Sequence, residues 1–326
     1  MNVLQLARKA LFEVDAIRSG GTLSGLWTAE EYTDAINTAV DSAYRIFRLA
    51  GSDIVTKRIA STDSAIDMIS ESYAPSSLKT VVDTTTYTLP PDFVHVVSIL
   101  PITSGFDGVT FRPALTTQKF FMEQQVIPTT DLSQVGPNGE QTFYYAIFGA
   151  RTLLLAPAPK DAFDVRLTYQ FRPHRLLYDQ SGTVAVTITS AGVVGTGTGW
   201  VALGLRTPAD LVVGSGTAVA AVEINTHYPS VLSIDTATTL TLARTYQATS
   251  NATASYALAM VPQLPEEYHR WLAQRAASEL LRKVNLELAE KSKMELEKQL
   301  LSEIQPEIVT RQIQESIVVE PFEVPS

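Results

Sequence analysis

The apolar residues of this 326-residue chain keep two different periods, and the places where the period changes limit what it can fold into. Val3, Leu4, Leu6, Ala7, Ala10, Leu11 and Val14 recur at helical spacing on one face, and the run stops at Ser19-Gly20-Gly21. Thr28, followed three residues on by Glu31, forms a capping box that satisfies two orphan backbone donors and starts a second helix. Tyr32, Ile36, Val40, Ala43, Tyr44 and Phe47 make its stripe, and Gly51 ends it. A third helix is expected near Ser64 to Tyr73, closed by Pro75. From about Lys79 the period falls to two. TVVDTTTYTLP, FVHVVSILPI, YYAIFG, TLLLAP and FDVRLTYQFRP then read as strands punctuated by Pro and Gly.

Between Ser181 and Met260 the chain is rich in Thr, Val, Ala and Gly and nearly free of charge, which reads as a compact all-β module, a small sandwich or barrel. Helical spacing then returns at Tyr268, Leu272, Ala276, Leu280 and Val284. Pro265 suits a first helical position, Glu266 and Glu267 complement the positive dipole end, and Pro306 is expected to stop the helix. As one continuous helix this segment would be about 60 Å long. Neither end of the chain can hide its stripe alone, so the terminal helices are expected to pack together.

The expected fold class is therefore α+β: a helical bundle built from N-terminal helices and a long C-terminal helix, interrupted by β structure. The N-terminal helices occupy 1–78, a β-rich region 79–180, an inserted all-β sandwich or barrel module 181–261, the long C-terminal helix 262–305, and an extended C-terminal arm 306–326.

Charge and composition exclude several function classes. A formal net charge of -9 argues against a reader of nucleic acid that binds by neutralising phosphates, though not against a wall past which DNA slides. Cysteine is absent, which removes disulfides, thiolate nucleophiles and Cys-ligated zinc. Arg8, Lys9, Glu13 and Asp15 break any signal-peptide core, and no apolar run is long enough to span a bilayer. The chain is expected to stay in the cytoplasm or in a particle assembled there, with no membrane partner.

The chemical motifs are thin. Glu266 and His269 share a helix face as in carboxylate-bridged di-iron bundles, but no second Glu-x-x-His exists; they read as dipole-favoured acids and a surface histidine. Gly195-Thr196-Gly197-Thr198-Gly199-Trp200 is not followed by Lys-Ser/Thr or by a helix start, so it reads as a tight β turn. His95, His174, His227 and His269 are scattered; no Gly-x-Ser-x-Gly elbow accompanies them, and His95 reads as a paired structural histidine. Arg166, Arg172, His174 and Arg175 form a modest basic cluster, read as a solvated sheet edge. Tyr144, Tyr145, Phe148, Tyr169 and Phe171 read as sheet core. No enzymatic activity, cofactor or metal site is expected.

The last stretch carries Ile308, Ile313, Ile317, Val319 and Phe322 without a helical stripe. Burying each would give about 1.5–3 kcal/mol, whereas ordering the backbone costs roughly 1–2 kcal/mol per residue over about twenty residues. Such an arm needs a partner's groove or sheet edge to order it.

The order of the pieces carries a family likeness. Tyr87, Leu89, Pro90, Asp92 and Phe93 fit a Tyr-x-Leu-Pro-x-Asp-Phe strand opening, and Leu155, Pro157 and Pro159 a Leu-x-Pro-x-Pro hairpin. Tyr169 and Pro173 fit a Tyr-x-x-x-Pro strand, and Leu264, Pro265 and Tyr268 a Leu-Pro-x-x-Tyr helix start. This arrangement, over 1–180 and 262–305, resembles the head-to-tail adaptor (connector) proteins of tailed bacteriophages, the tail tubular protein A-like family. The resemblance implies a dodecameric ring under the portal protein, at the virion neck, that extends the DNA channel and offers a platform to tail, nozzle or tail-tube proteins. It implies that the chain binds itself, lets genomic DNA pass without specificity, and grips the portal through Ile308, Ile313, Ile317, Val319 and Phe322. The alternative is a tail or baseplate component whose β module binds host-surface carbohydrate.

Overall fold

A computed structural model of the chain describes residues 1–17, 27–60, 79–90, 92–103, 106, 108–115, 141–149, 151–214 and 230–316. The fold is α+β, and the chain divides into two compact units: Met1–Ile54 with Pro173–Ser326, and Val55–Arg172. The expected third helix near 64–73 lies outside the described residues.

In the first unit, α1 (Val3–Ile17) buries Val3, Leu6, Ala10 and Val14, and α2 (Ala29–Leu49) buries Ile36, Val40, Ala43, Tyr44 and Phe47, the stripes set by their spacing. The capping box is present: the Thr28 N–H donates to Glu31 Oε2 at 2.7 Å and the Glu31 N–H to Thr28 Oγ1 at 3.3 Å. Both helices pack on α3 (His269–Leu281), which is buried on nearly every side because α4 (Leu286–Ser316) folds back over it. Trp271 Nε1 donates to the Leu296 carbonyl at 2.8 Å across this hairpin, and Trp27 Nε1 to the Leu280 carbonyl at 3.2 Å. Ala273, Ala276, Ala277 and Ser278 keep α3 thin enough for neighbours to approach from several directions.

The expected single C-terminal helix is therefore two. Asn285 breaks it: its Oδ1 accepts the Leu288 N–H at 3.0 Å, an N-cap that starts α4 after the turn at 282–284. The helix also does not stop at Pro306 but runs to Ser316, so the arm expected to be extended from 306 is helical through 316. A proline inside a helix removes one N–H bond and crowds the carbonyl four residues back, a local cost that α4 carries without ending there.

Burial of Arg275 is the electrostatic problem of this unit. Its guanidinium, 2% exposed, reaches Glu279 at 2.7 Å, the Ser278 hydroxyl at 3.0 Å and Glu297 of α4 at 3.7 Å. Burial raises the Glu279 carboxyl, but its hydrogen bond and attraction to Arg275, with Arg282 adding to both, outweigh that and hold it below its ordinary range.

The same unit carries one eight-stranded antiparallel sheet in the order β14-β9-β10-β13-β12-β11-β15-β8. Its strands are β8 (Tyr178–Asp179), β9 (Thr183–Val186), β10 (Gly192–Thr196), β11 (Ala209–Val213), β12 (Ser230–Ile234), β13 (Thr239–Leu242), β14 (Asn251–Ala254) and β15 (Tyr256–Met260). Flat, it would hold β8 and β9 roughly 29 Å apart at about 4.8 Å per strand. Only residues 180–182 join them, which reach no more than about 14 Å. The sheet must therefore be rolled, and Trp200 fills the roll. Its indole meets the Tyr256 ring edge-on at 5.9 Å and donates from Nε1 to the Tyr256 hydroxyl at 2.9 Å. A Cβ at Gly195, four strands away in the sheet, would come within 3.0 Å of the indole. Tyr256 in turn donates to Asp179, and burial, then the Asp179 contact, push its hydroxyl well above its ordinary value. Gly182 makes the closing turn with φ +78°, and a Cβ there would collide with the Thr196 carbonyl.

The second unit begins with β1 (Thr56–Ala60), a strand within the segment expected to be helical, formed because it can pair along β7 (Val165–Phe171). The order β1-β7-β3, with β3 at Phe93–Pro101, makes one sheet; β2-β6-β5-β4 makes the other, from Thr86–Thr88, Thr152–Ala156, Gln141–Phe148 and Val109–Pro113. Leu153, Leu155 and Phe111 of one sheet and Ile99, Val165 and Leu167 of the other line a cavity of about 20 Å³, room for about one water. The two sheets are thus layers of a sandwich.

Replacing Arg275 by Ala should lower unfolding free energy in urea by about 1.5–3 kcal/mol, because Glu279 and Glu297 lose their buried cation and keep only the more exposed Arg282 and Arg45. Trp200→Ala should cost ~3–5 kcal/mol through the cavity it opens inside the roll.

Candidate functional site

The family-like residues converge on structural nodes. Asp92, at the entry to β3, accepts from Lys57 Nζ of β1 at 2.7 Å and from the Tyr169 hydroxyl of β7 at 2.9 Å, while its carbonyl takes the Arg172 N–H at 2.7 Å. Lys57 also lies 4.3 Å over the Phe171 ring, and the Phe93 and Tyr169 rings are 5.8 Å apart. One carboxylate therefore ties all three strands of the sheet. Leu89 and Leu155 are buried, the Tyr87 hydroxyl donates to the Thr84 carbonyl at 2.8 Å, and the Pro159 carbonyl accepts the Asp83 N–H at 2.8 Å.

The Leu264-Pro265-Tyr268 start clamps α2 to α3. Tyr268 meets Phe47 edge-on at 5.0 Å, and the Tyr44 hydroxyl donates to the Gln263 carbonyl at 2.8 Å. His269, expected at the surface, is buried: its Nε2 is 3.1 Å from the Leu264 carbonyl and its Nδ1 2.7 Å from the Met1 amine, with Glu266 3.9 Å from that amine. Burial first, and then the amine, lower the His269 imidazole below its ordinary 6.5. Nearby, burial pushes the Asp210 carboxyl up, with the charge of the Met1 amine opposing the rise.

The remaining sequence candidates do not assemble into chemistry. His95 is exposed on β3, at the register shift between Phe93 and His95, and not in the core; His227 is outside the described residues. The basic cluster is divided: Arg166 and Arg172 are exposed in one unit, while Arg175 of the other pairs with Asp34 of α2. Gly195–Gly199 is the end of β10 and a turn, with Gly197 at φ +72° and no helix after it. Tyr169 and Phe171 are core, whereas Tyr144, Tyr145 and Phe148 are half-buried. Among the described residues, no group of three or more His, Asp or Glu side chains is placed to hold a metal ion. Nor is any described helix long and apolar enough to cross a membrane. Ile308 and Ile313 stand on the last stretch of α4, while Ile317, Val319 and Phe322 lie outside the described residues.

A family model for the SU10 adaptor protein matches residues 1–188, more than half of the chain. The chain belongs to the SU10 adaptor protein family. No curated protein matches it significantly. Membership gives it a structural role as a bacteriophage adaptor. The match takes in α1, α2, the whole sandwich and the closing turn of the rolled sheet, including Asp92 and Tyr169.

In this adaptor Asp92→Ala should cost about 1.5–3 kcal/mol in thermal or urea unfolding, since it deprives a charged donor and a buried hydroxyl of their acceptor. For His269 the folded value lies below the unfolded 6.5, so the unfolded chain takes the proton first. The resulting stability is whole above about pH 6.5 and lost as pH falls towards the folded value. Asp210, whose folded value is raised, works in the opposite sense at lower pH. Unfolding followed from pH 7.5 to 5.5 should therefore show a decline that is shallower in His269→Gln.

Proposed function

We propose that this chain is the head-to-tail adaptor subunit of a tailed-phage particle, of the tail tubular protein A-like kind. Copies assemble as a ring, twelve by family resemblance, beneath the portal protein at the virion neck. The ring extends the DNA channel and presents a platform for tail, nozzle or tail-tube proteins, and assembly takes place in the host cytoplasm. The observation that carries this reading is the family match over residues 1–188.

Physical features support it. The net charge of -9 suits a conduit that DNA traverses without adhering. A rigid sandwich and a rolled sheet, each closed by its own hydrogen-bonded node, suit a part that must transmit position and not turn over substrate. The chain acts without enzymatic activity or cofactor. Ile308, Ile313, Ile317, Val319 and Phe322 form the portal-gripping end. Individually weak contacts of this kind gain through multivalency when presented by every subunit of a ring.

The test uses full-length chain and a variant ending at residue 305, each mixed with portal-bearing heads that lack tails. Full-length chain should sediment with the heads, and the shortened one should lose at least about tenfold in apparent affinity while its helical circular dichroism falls only by the α4 residues removed, 306–316. Equal attachment by both would overturn the arm assignment.

A further inference from the structure

The outward face of the three-stranded sheet is cationic in a chain whose Asp and Glu outnumber its Lys and Arg by 34 to 25. Along β7, Val165, Leu167, Tyr169 and Phe171 are buried, so Arg166, Thr168 and Gln170 stand on the other face, and Arg172, just past the strand, keeps the alternation. The register sets His95, Ser98 and Leu100 of β3 opposite Gln170, Thr168 and Arg166, and Arg58 of β1 opposite Thr168 on the other flank. None of the three strands contains an Asp or Glu.

Arg166 and Arg172 are exposed, and among the described residues no carboxylate pairs with either. The acids that precede β3 and β7 are engaged elsewhere: Asp92 accepts from Lys57 at 2.7 Å and from the Tyr169 hydroxyl at 2.9 Å, and Asp164 lies 4.0 Å from Lys79 Nζ. The exposed Arg175, Arg282 and Lys283, by contrast, each have a carboxylate beside them. The two sheet arginines are therefore charges with no internal use.

A strip of this make-up is complementary to a phosphate backbone. Arg166 and Arg172 lie about 20 Å apart at roughly 3.3 Å per residue, a length that passes about six phosphates of one DNA strand. Between them Thr168, Gln170 and Ser98 offer hydroxyl and amide donors, which share phosphate contacts with arginine. Phe93, Tyr169 and Phe171 are all buried, so the face has no ring on which an unpaired base could stack and no aromatic anchor for a protein partner. The exposed Val97 and Leu100 bound the strip at its β3 margin. We infer that this face is where the subunit meets the backbone of double-stranded DNA, without reading its sequence. Two free arginines on a chain of net charge -9 attract the duplex locally and release it, which suits sliding and not retention. The inference rests on the adaptor reading for the duplex that passes, and it names the face that the duplex passes.

The experiment titrates full-length chain against a fluorescent random-sequence duplex of about thirty base pairs, from about 20 to about 200 mM salt. For wild type, log affinity should fall with log salt at a slope of about -2, as two phosphate contacts give. Arg166→Ser with Arg172→Ser should bind at least about tenfold more weakly at the lowest salt and lose the slope; both positions are exposed, so its melting temperature should be that of wild type. Arg166→Lys with Arg172→Lys, which keeps the charge, should retain the slope. Arg112→Ser with Lys160→Ser removes the same charge from exposed positions elsewhere in the unit and should bind as wild type does. Wild type without salt-dependent binding, or equal weakening by the two serine pairs, would overturn the inference. So would displacement of the duplex by poly-glutamate as readily as by unlabelled duplex, which would point to an acidic protein partner. Each of these results leaves the adaptor reading standing, since that is decided by attachment to portal-bearing heads.

Discussion

A guanidinium with almost no access to water sets the terms for the helical half of this protein. Arg275 sits at the middle of the most buried helix, and a lone charge there would be prohibitively costly. It is tolerated because Glu279 lies one turn on, Ser278 offers its hydroxyl, and α4 returns Glu297 from across the hairpin. The last of these partners depends on the register of the hairpin. The Asn285 cap decides where α4 starts, and that decides whether Glu297 comes opposite Arg275. Buried ion pairs are weak sources of net stability, so a Met in place of Arg275 gives up little stability but does not penalise a slipped hairpin. The arrangement favours the hairpin register in which Glu297 of α4 faces Arg275 of α3.

The two β regions solve the edge problem in different ways. The rolled sheet brings β8 round towards β9 through a three-residue link, pinned by Gly182 and by the Trp200-Tyr256-Asp179 chain of hydrogen bonds. Its strands can be nearly free of charge because few backbone groups face outward. The sandwich stays open and is locked from within by Asp92, which holds β1, β3 and β7 together.

Much of this was legible in the sequence wherever the signal was local. Thr28 and Glu31 announced the start of α2, and the stripes of α1 and α2 named the side chains that are buried. The strand runs and the Gly195–Gly199 turn were readable for the same reason, since period and turn chemistry act over a few residues. What depends on distant residues was not. Nothing near Arg275 in sequence says that it is buried, because Glu297 lies on another helix. His269 was placed at the surface from its acidic neighbours, although its partners are the Leu264 carbonyl and the chain's first residue. Asn285 was a usable signal that a long helical pattern masked, and Pro306 was given more weight than one lost hydrogen bond carries. The role of Asp92 was visible only as a family-like letter; its meaning, a node between three strands, needed the register of β1, β3 and β7.

The central claim is that this adaptor is a stoichiometric part of the neck. It is tested most directly by quantitative mass spectrometry of purified particles, reporting copies of this chain for each copy of the portal subunit. The account predicts a ratio near one. Absence from the particle, or many copies for each portal subunit, would contradict it.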